Sequence, residues 1–454
     1  MRSSHNARAV SVRFDDPNLV SHAGLVPVMR LAEHAGLPDL ADDLLTLGTT
    51  AGSNAGAKVA SIVAGMVAGA DSIDDLDVVR HGGLPRLFTG IRAPSTLGTF
   101  LRDFTIGHVA QLEKTASQVL GNLVGLAPVL PEVDKLAFLD IDSKITQVYG
   151  RCKDGAAFGY TRVRGLNFLG ACLSTPVSVP VITGTRLRGG NADTRRNASS
   201  FVTKNLTTAR KQCGATGRLL VRMDSGFYVG EILQTILDAG AWFSVTAPQN
   251  PSVRAAIAAI PDTAWNTITY HTPIYDENTQ QWVSSAQIAE TSYTAFTNTT
   301  TNGQRITARL IVRRVKKTNP EPTGELFDVY RHQAVFTNSP FDLDTTDTQH
   351  RDRAGTIEAV FADLNASALA HFPSGRFAAN AAWLTLAALT HNLLRAAGCL
   401  TSTFHARART TTLRQHLIAI AARISRSARK IVLHLPEHWP WRDNYTGLFT
   451  ATHP

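Results

Sequence analysis

Cysteine is scarce in this chain of 454 residues. Cys152, Cys172, Cys213 and Cys399 lie far apart and form no CxxC pair. That spacing excludes a zinc ribbon and argues against a disulfide framework, leaving reduced and mostly buried thiols. No stretch is long and apolar enough to span a bilayer. The opening residues, MRSSHNARAVSVRFDD, lack the apolar block of a secretory signal. The protein is therefore expected to stay in the cytoplasm. Carboxylates are missing between Asp363 and Glu437, whereas Arg376, Arg395, Arg407, Arg409, Arg414, Arg423, Arg426, Arg429 and Lys430 all fall there.

The net charge of +9 is accordingly uneven. Residues 1–130 carry 10 basic and 12 acidic side chains, residues 131–363 carry 25 and 22, and residues 364–454 carry 10 and 2. A one-signed C-terminal surface attracts a polyanion, and release of its counterions supplies affinity. Arginine far outnumbers lysine there, and its planar fork suits phosphate oxygens. Apolar residues at 44% and charged residues at 18% are ordinary for a globular protein with a large core.

The length exceeds one compact core, so two to four units are expected. Residues 1–130 read as helices. Val20 to Leu47 has apolar residues at helical spacing, a second helix fits Lys58 to Ala70, and a third fits Ile73 to Val79. After the turn-rich GGLPRLFTG, Pro94-Ser95-Thr96 begins a helix that carries Arg102, giving a spacing compatible with a helix-turn-helix. From Lys135 the period becomes that of strands in KLAFLDID, LNFLGACLS and VSVPVITGTRL. A helix over Ala198–Cys213, the strand GRLLVRMD, the helix EILQTILDAG and the strand WFSVTAP follow, which is a mixed α/β sheet. Residues 251–325 read as a β-rich insertion, residues 326–372 as a return to the sheet plus a helix, and residues 373–454 as a basic helical region. The helical period extends to about Val432, and the aromatic end LHLPEHWPWRDNYTGLF reads as turns.

Asp140 and Asp142 lie two apart on an apolar strand, so their side chains share a sheet face. Asp224 ends GRLLVRMD, where Ser-Gly stops the strand and exposes the carboxylate. A carboxylate at the tip of a buried strand is costly unless something pairs with it. Glu358 borders the apolar helix face formed by Ile357, Val360, Phe361 and Leu364. Converging carboxylates without a Cys/His set suit a hard cation such as Mg²⁺ or Mn²⁺, and a pair of such ions would clamp a phosphodiester displacement.

Three segments, LDIDSKITQVYGRCKDGAAFGYTRVRG, LLVRMDSGFY and HRDRAGTIEAVFADLNASALAHFPSGRFAANAAWL, resemble the DDE transposases of bacterial insertion sequences, closest to the insertion sequence 1380 type. The resemblance covers most of the chain. It implies an α/β, ribonuclease-H-like mixed sheet at 131–250 and 326–372, an inserted all-β subdomain at 251–325, an N-terminal helical DNA-binding region at 1–130, and C-terminal helices at 373–454. The 134 residues from Asp224 to Glu358, against 82 from Asp142 to Asp224, leave room for that insertion. The resemblance makes Asp142, Asp224 and Glu358 the catalytic metal-binding set, with Asp140 an alternative first Asp and further metal ligand. Lys144 stands where the family has Thr, Asn365 where it has Lys, and His350 near the place of a Tyr. Arg353 lies near the family's Arg before the Glu. The loop Arg186–Arg196 resembles a DNA-contacting loop. Expected DNA contacts are Arg102, Lys144, Arg186, Arg188, Arg195, Arg196, Arg353 and Arg376.

The implied activity is Mg²⁺-dependent cleavage of DNA at the element's terminal inverted repeats. The freed 3′-OH is then transferred into target DNA by a homodimer in a synaptic complex at the nucleoid. Two alternatives stay open: a non-catalytic relic that binds the ends, and a nuclease of this fold that does not join.

Overall fold

A computed structural model describes residues 9–48, 52–150, 152–159, 162–276, 281–297, 305–316, 330–428 and 430–453. Arg429 lies outside them. The short strand β1 (Leu19–Val20) leads into helices α1 (Leu25–His34) and α2 (Leu37–Leu44). The helical period over Val20–Leu47 is thus cut in two at Gly36, whose φ of +74° only glycine adopts cheaply. Helix α3 (Ala55–Ala68) ends at Gly69, again left-handed. The expected third helix is a 3₁₀ turn, Asp74–Arg80, and a second such turn (Leu84–Arg86) intervenes before α4 (Pro94–Arg102). Helix α5 (Ile106–Leu126) starts from a capping box in which the Thr105 hydroxyl accepts the His108 N–H and His108 Nδ1 accepts the Thr105 N–H.

The core sheet contains β2 (Leu136–Gln147), β3 (Ala157–Phe158), β4 (Arg164–Ser174), β5 (Val181–Gly189), β6 (Arg218–Met223) and β7 (Trp242–Ala247). Helix α6 (Ala198–Lys211) joins β5 to β6, and α7 (Gly230–Asp238) joins β6 to β7. Strands β2, β4 and β5 form an antiparallel meander, and β6 and β7 run parallel to β2 on its other side. The order β5-β4-β2-β6-β7 with these directions is a ribonuclease-H-like sheet.

After helix α8 (Pro251–Ala258) come β8 (Asn266–Asp276), β9 (Gln281–Ala295), β10 (Ile306–Lys316) and β11 (Tyr330–Thr337). These four form an antiparallel meander that β11 joins to β7, so the β-rich segment lengthens the core sheet to ten strands. Its ladder is continuous with the core because β11 offers its second edge to β10.

Helix α9 (Leu343–Asn365) begins ten residues before Arg353, earlier than the sequence period indicates, because the Asp342 side chain caps it by accepting the Thr345 N–H. Helix α10 (Phe377–Cys399) is buried nearly all round, which makes it the axle of the molecule. It packs against β5 on one side and against α3 and α5 on another. The short helices α11 (Thr403–Arg407) and α12 (Thr410–Leu413) follow. Then the helical expectation fails. Strands β12 (Ala422–Ser427) and β13 (Lys430–His434) form a hairpin that pairs with β1. Ile424 alternates inward between outward Arg423 and Ser425, a period of two that helical counting hides. The aromatic end is also helical, as α13 (Arg442–Ala451), with Tyr445 and Leu448 on its buried face. Among the described residues no helix is long and apolar enough to cross a membrane.

Candidate active site

Strand register decides which acids meet. In the parallel β2–β6 ladder, Ile141 lies opposite Met223. One residue further on each chain, Asp142 and Asp224 therefore stand side by side where β6 ends. Asp224 caps the one-turn helix Ser225–Phe227, its Oδ1 accepting the Gly226 N–H at 3.1 Å. Burial raises the Asp224 carboxyl above the ordinary carboxylate range, and the Asp142 charge pushes it further. The Arg353 charge and the backbone N–H groups of Gly226 and Phe227 pull it back.

Arg353 reaches in from α9. Its Nη1 donates to Asp142 Oδ2 at 2.9 Å, while Asp142 Oδ1 accepts the Ser143 N–H. The guanidinium is buried, and among the described residues its Nε has no acceptor. Glu358, five residues along α9, is exposed. Its charge is felt by half-buried Lys144, whose ammonium burial pushes toward lower pKa and Glu358 pushes back. Lys144 Nζ also lies 5.9 Å from the Phe361 ring centre. Among the described residues, no three His, Cys, Asp or Glu side chains gather closely enough to hold a metal ion. The fold thus brings Asp142 and Asp224 together, and Glu358 stands aside with Lys144.

Asp140 is fully buried, and both its oxygens are engaged. Arg222 Nε donates to Oδ1 at 2.6 Å and Nη2 to Oδ2 at 2.7 Å. Arg222 Nη1 also donates to the Gln349 carbonyl at 2.6 Å, tying β2, β6 and α9 together. Fully buried with both oxygens turned onto Arg222, Asp140 holds the frame in this structure. Arg222 escaped the sequence reading, although a charge inside the apolar run GRLLVRMD signals a buried partner. Gly170 also escaped it. It faces Asp142 across the ladder, and a Cβ there would lie 2.5 Å from Phe361, so its missing side chain lets α9 settle on the sheet.

The expected DNA contacts separate by exposure. Arg102, Arg195, Arg196 and Arg376 are at the surface, although Arg376 Nη1 donates to the Arg102 carbonyl. Arg186 is half-buried, bonded to the Asn197 carbonyl and the Ser200 hydroxyl. Arg188 is buried, gripping Asn167 and the carbonyls of Asp193 and Thr194. It shapes the loop whose Thr194 packs against Gly226 beside Asp224. Arg195 and Arg196, the next two residues of that loop, are exposed. His350 is enclosed between the hydroxyls of Ser244 and Thr246, and burial pushes its imidazole down to about 3.

Two aspartates thus stand on neighbouring parallel strands of a ribonuclease-H-like sheet, the arrangement from which a phosphodiester-processing site could be built. The donor set fits a hard divalent cation, since two carboxylates offering only oxygen stand side by side at the strand ends. The chain belongs to the family described as Transposase DDE domain group 1, whose profile matches residues 2–453. It is a DDE transposase, an enzyme of DNA cleavage and strand transfer. The family generally uses divalent metal ions. Among solved structures, the chain is similar to the cryo-EM structure of a piggyBac transposase synaptic complex with hairpin DNA. That similarity has a TM-score of 0.39 at 10% identity, over 88% of this chain and 79% of that one. No curated protein sequence matches the chain significantly.

Proposed function

We propose that this transposase cuts the terminal inverted repeats of a bacterial insertion sequence of the 1380 type and joins the freed 3′-OH to target DNA. Asp142 and Asp224 would hold Mg²⁺, with Mn²⁺ able to substitute, and Glu358, which stands aside in this structure, would complete the set when metal and DNA are bound. When bound, the metal supplies positive charge at the attacking and leaving oxygens of the phosphodiester. The chain's own residues do the rest. β2 and β6 fix the two aspartates side by side, and Arg353 braces Asp142 from α9. That brace keeps the helix bearing Glu358 at the rim of the same site. Arg195 and Arg196 present cations next to Asp224, where a DNA backbone entering the site would pass; Arg102, Arg186 and Arg376 extend that basic surface, and Lys144 lies between Asp142 and Glu358. Backbone contacts of this kind position the substrate, and base contacts at the repeats would supply sequence choice. The working form is a homodimer that pairs two ends, acting at the nucleoid.

The observation that carries this reading is the β2–β6 register, which sets Asp142 beside Asp224 and lets one charge raise the other carboxyl. The test is a cleavage and joining assay on labelled duplex bearing the element's own end, in Mg²⁺ or Mn²⁺, comparing wild type with Asp224→Asn and Glu358→Gln. Wild type is expected to nick at the element boundary and form joined product. Both variants should bind the same duplex and do neither. Cleavage at the wild-type rate by Asp224→Asn would remove the site assignment. Nicks without joined product would make the protein a nuclease.

A further inference from the structure

Beside the catalytic strand, on the far flank of α9 from Glu358, lies a second concavity of about 410 Å³. Phe138 of β2 lines it, four residues and so about 13 Å along the strand from Asp142. One wall is the α9 stripe containing Thr356 and Asp363; the opposite wall is the segment that follows α11. Neither Asp142 nor Asp224 borders it.

The groove holds more positive charge than it uses. Arg222, in its floor, is already matched by Asp140. Arg395 is buried, and its Nη1 donates to the carbonyls of Ala406 and Ala408 at 2.7 and 2.9 Å. That clamp fixes the backbone on both sides of Arg407. Among the described residues the buried Nε of Arg395 has no acceptor. Arg407, the last residue of α11, and Arg409, which precedes α12, both line the groove and are exposed at its edge. Among the described residues neither pairs with a carboxylate. Of the groove's own acids, Asp363 is engaged by the N–H and hydroxyl of Thr410, with His391 Nδ1 at 3.4 Å, and exposed Asp352 stands at the rim. Two arginines held on one side of an open groove by a buried third suit a phosphate chain lying across it, since a sealed nucleotide would need an enclosing wall.

We propose that this groove binds the phosphodiester backbone of duplex DNA outside the catalytic site, with Arg407 and Arg409 as its phosphate contacts. The proposal rests on the transposase reading and adds the place where DNA away from the scissile bond is held. Within the basic C-terminal stretch, Arg395 and Arg414 are turned inward onto backbone carbonyls and so are not among its phosphate contacts.

The test is a salt series of fluorescence anisotropy with the full chain and a labelled duplex, once with the element's end and once with unrelated sequence. Replacing both residues by glutamine, R407Q/R409Q, should lower the log–log salt slope by about 1.8, since each lost phosphate contact removes about 0.9. Binding to both duplexes should weaken by the same factor, and R407K/R409K should keep the wild-type slope. Both side chains are exposed, so the wild-type melting temperature is expected, measured on the same samples. An unchanged slope in R407Q/R409Q overturns the groove and leaves the transposase reading standing. Failure of the wild type to bind either duplex overturns the reading beneath it.

Discussion

Arg222→Met is the perturbation whose size the structure defines best. Methionine keeps the stem of the side chain, which in wild type lies with its guanidinium 4.3 Å from the Phe138 ring centre. It removes three charge-assisted hydrogen bonds, two to Asp140 and one to the Gln349 carbonyl. Asp140 has no exposure at all, so its carboxylate is left buried without a counter-charge. Removing one partner of such a pair costs about 3–5 kcal/mol, because the surviving charge cannot regain water. Replacing both partners, Asp140→Leu with Arg222→Met, should recover most of that loss.

The pH dependence carries a sign. Burial already holds the Asp140 carboxyl above the ordinary range, and Arg222 works against that rise. Without Arg222 the folded value climbs further above the unfolded one, so the protonated form is the one the fold stabilises. The penalty is then smallest in acid and grows as pH rises through the folded value. Urea unfolding followed by far-UV circular dichroism at pH 5 and pH 8 measures this directly. A single variant costing less than about 1 kcal/mol at pH 8 would refute the reasoning, as the pair would then lack the quoted strength. So would a double variant no more stable than the single one. The ladder hydrogen bonds of β2 and β6 persist in the double variant, so it should also still cleave DNA.

Two further outcomes follow from the same packing. Gly170→Ala places a Cβ 2.5 Å from Phe361, so it should destabilise by about 1–3 kcal/mol and lift α9 from the sheet, slowing cleavage as Glu358 moves away. Adding Phe361→Leu should restore part of both, and a Gly170→Ala variant that melts and cleaves as wild type would show that α9 does not rest there. His350 is held neutral, its folded value near 3 lying below the unfolded 6.5. Its contribution is present above pH 6.5 and drains as pH falls, at up to about 1.4 kcal/mol per unit. His350→Asn should therefore show a flatter acid limb between pH 6.5 and 4 in melting experiments, and parallel limbs would mean that His350 titrates normally.

Much of the core was legible because its signals are local. Short continuous apolar runs mark β2, β4 and β6, the Ser-Gly break after Asp224 marks a strand end, and the apolar stripe around Glu358 marks a helix. These depend only on which faces of a segment avoid water, and a sequence displays that directly. The hairpin of β12 and β13 was misread because its short alternating run sits inside an arginine-rich stretch with no carboxylates to break the helical count. Its pairing partner, β1, lies some 400 residues away. The basic C-terminus was overread for a related reason. Composition counts arginines, yet Arg395 and Arg414 are turned onto backbone carbonyls inside the protein.

What the sequence determined by itself is therefore the kind of each element and the side chains it offers: two acids on one strand, one at another strand's tip, one on a helix. Tertiary structure decided which of them meet. Asp140 became a structural ion pair because β6 places Arg222 opposite it, while Asp142 met Asp224 two positions further on, just past the end of the same ladder. Period and propensity describe a residue's relation to its own backbone, whereas a site is set by register between strands distant in the chain, and that register is fixed only when the whole sheet closes.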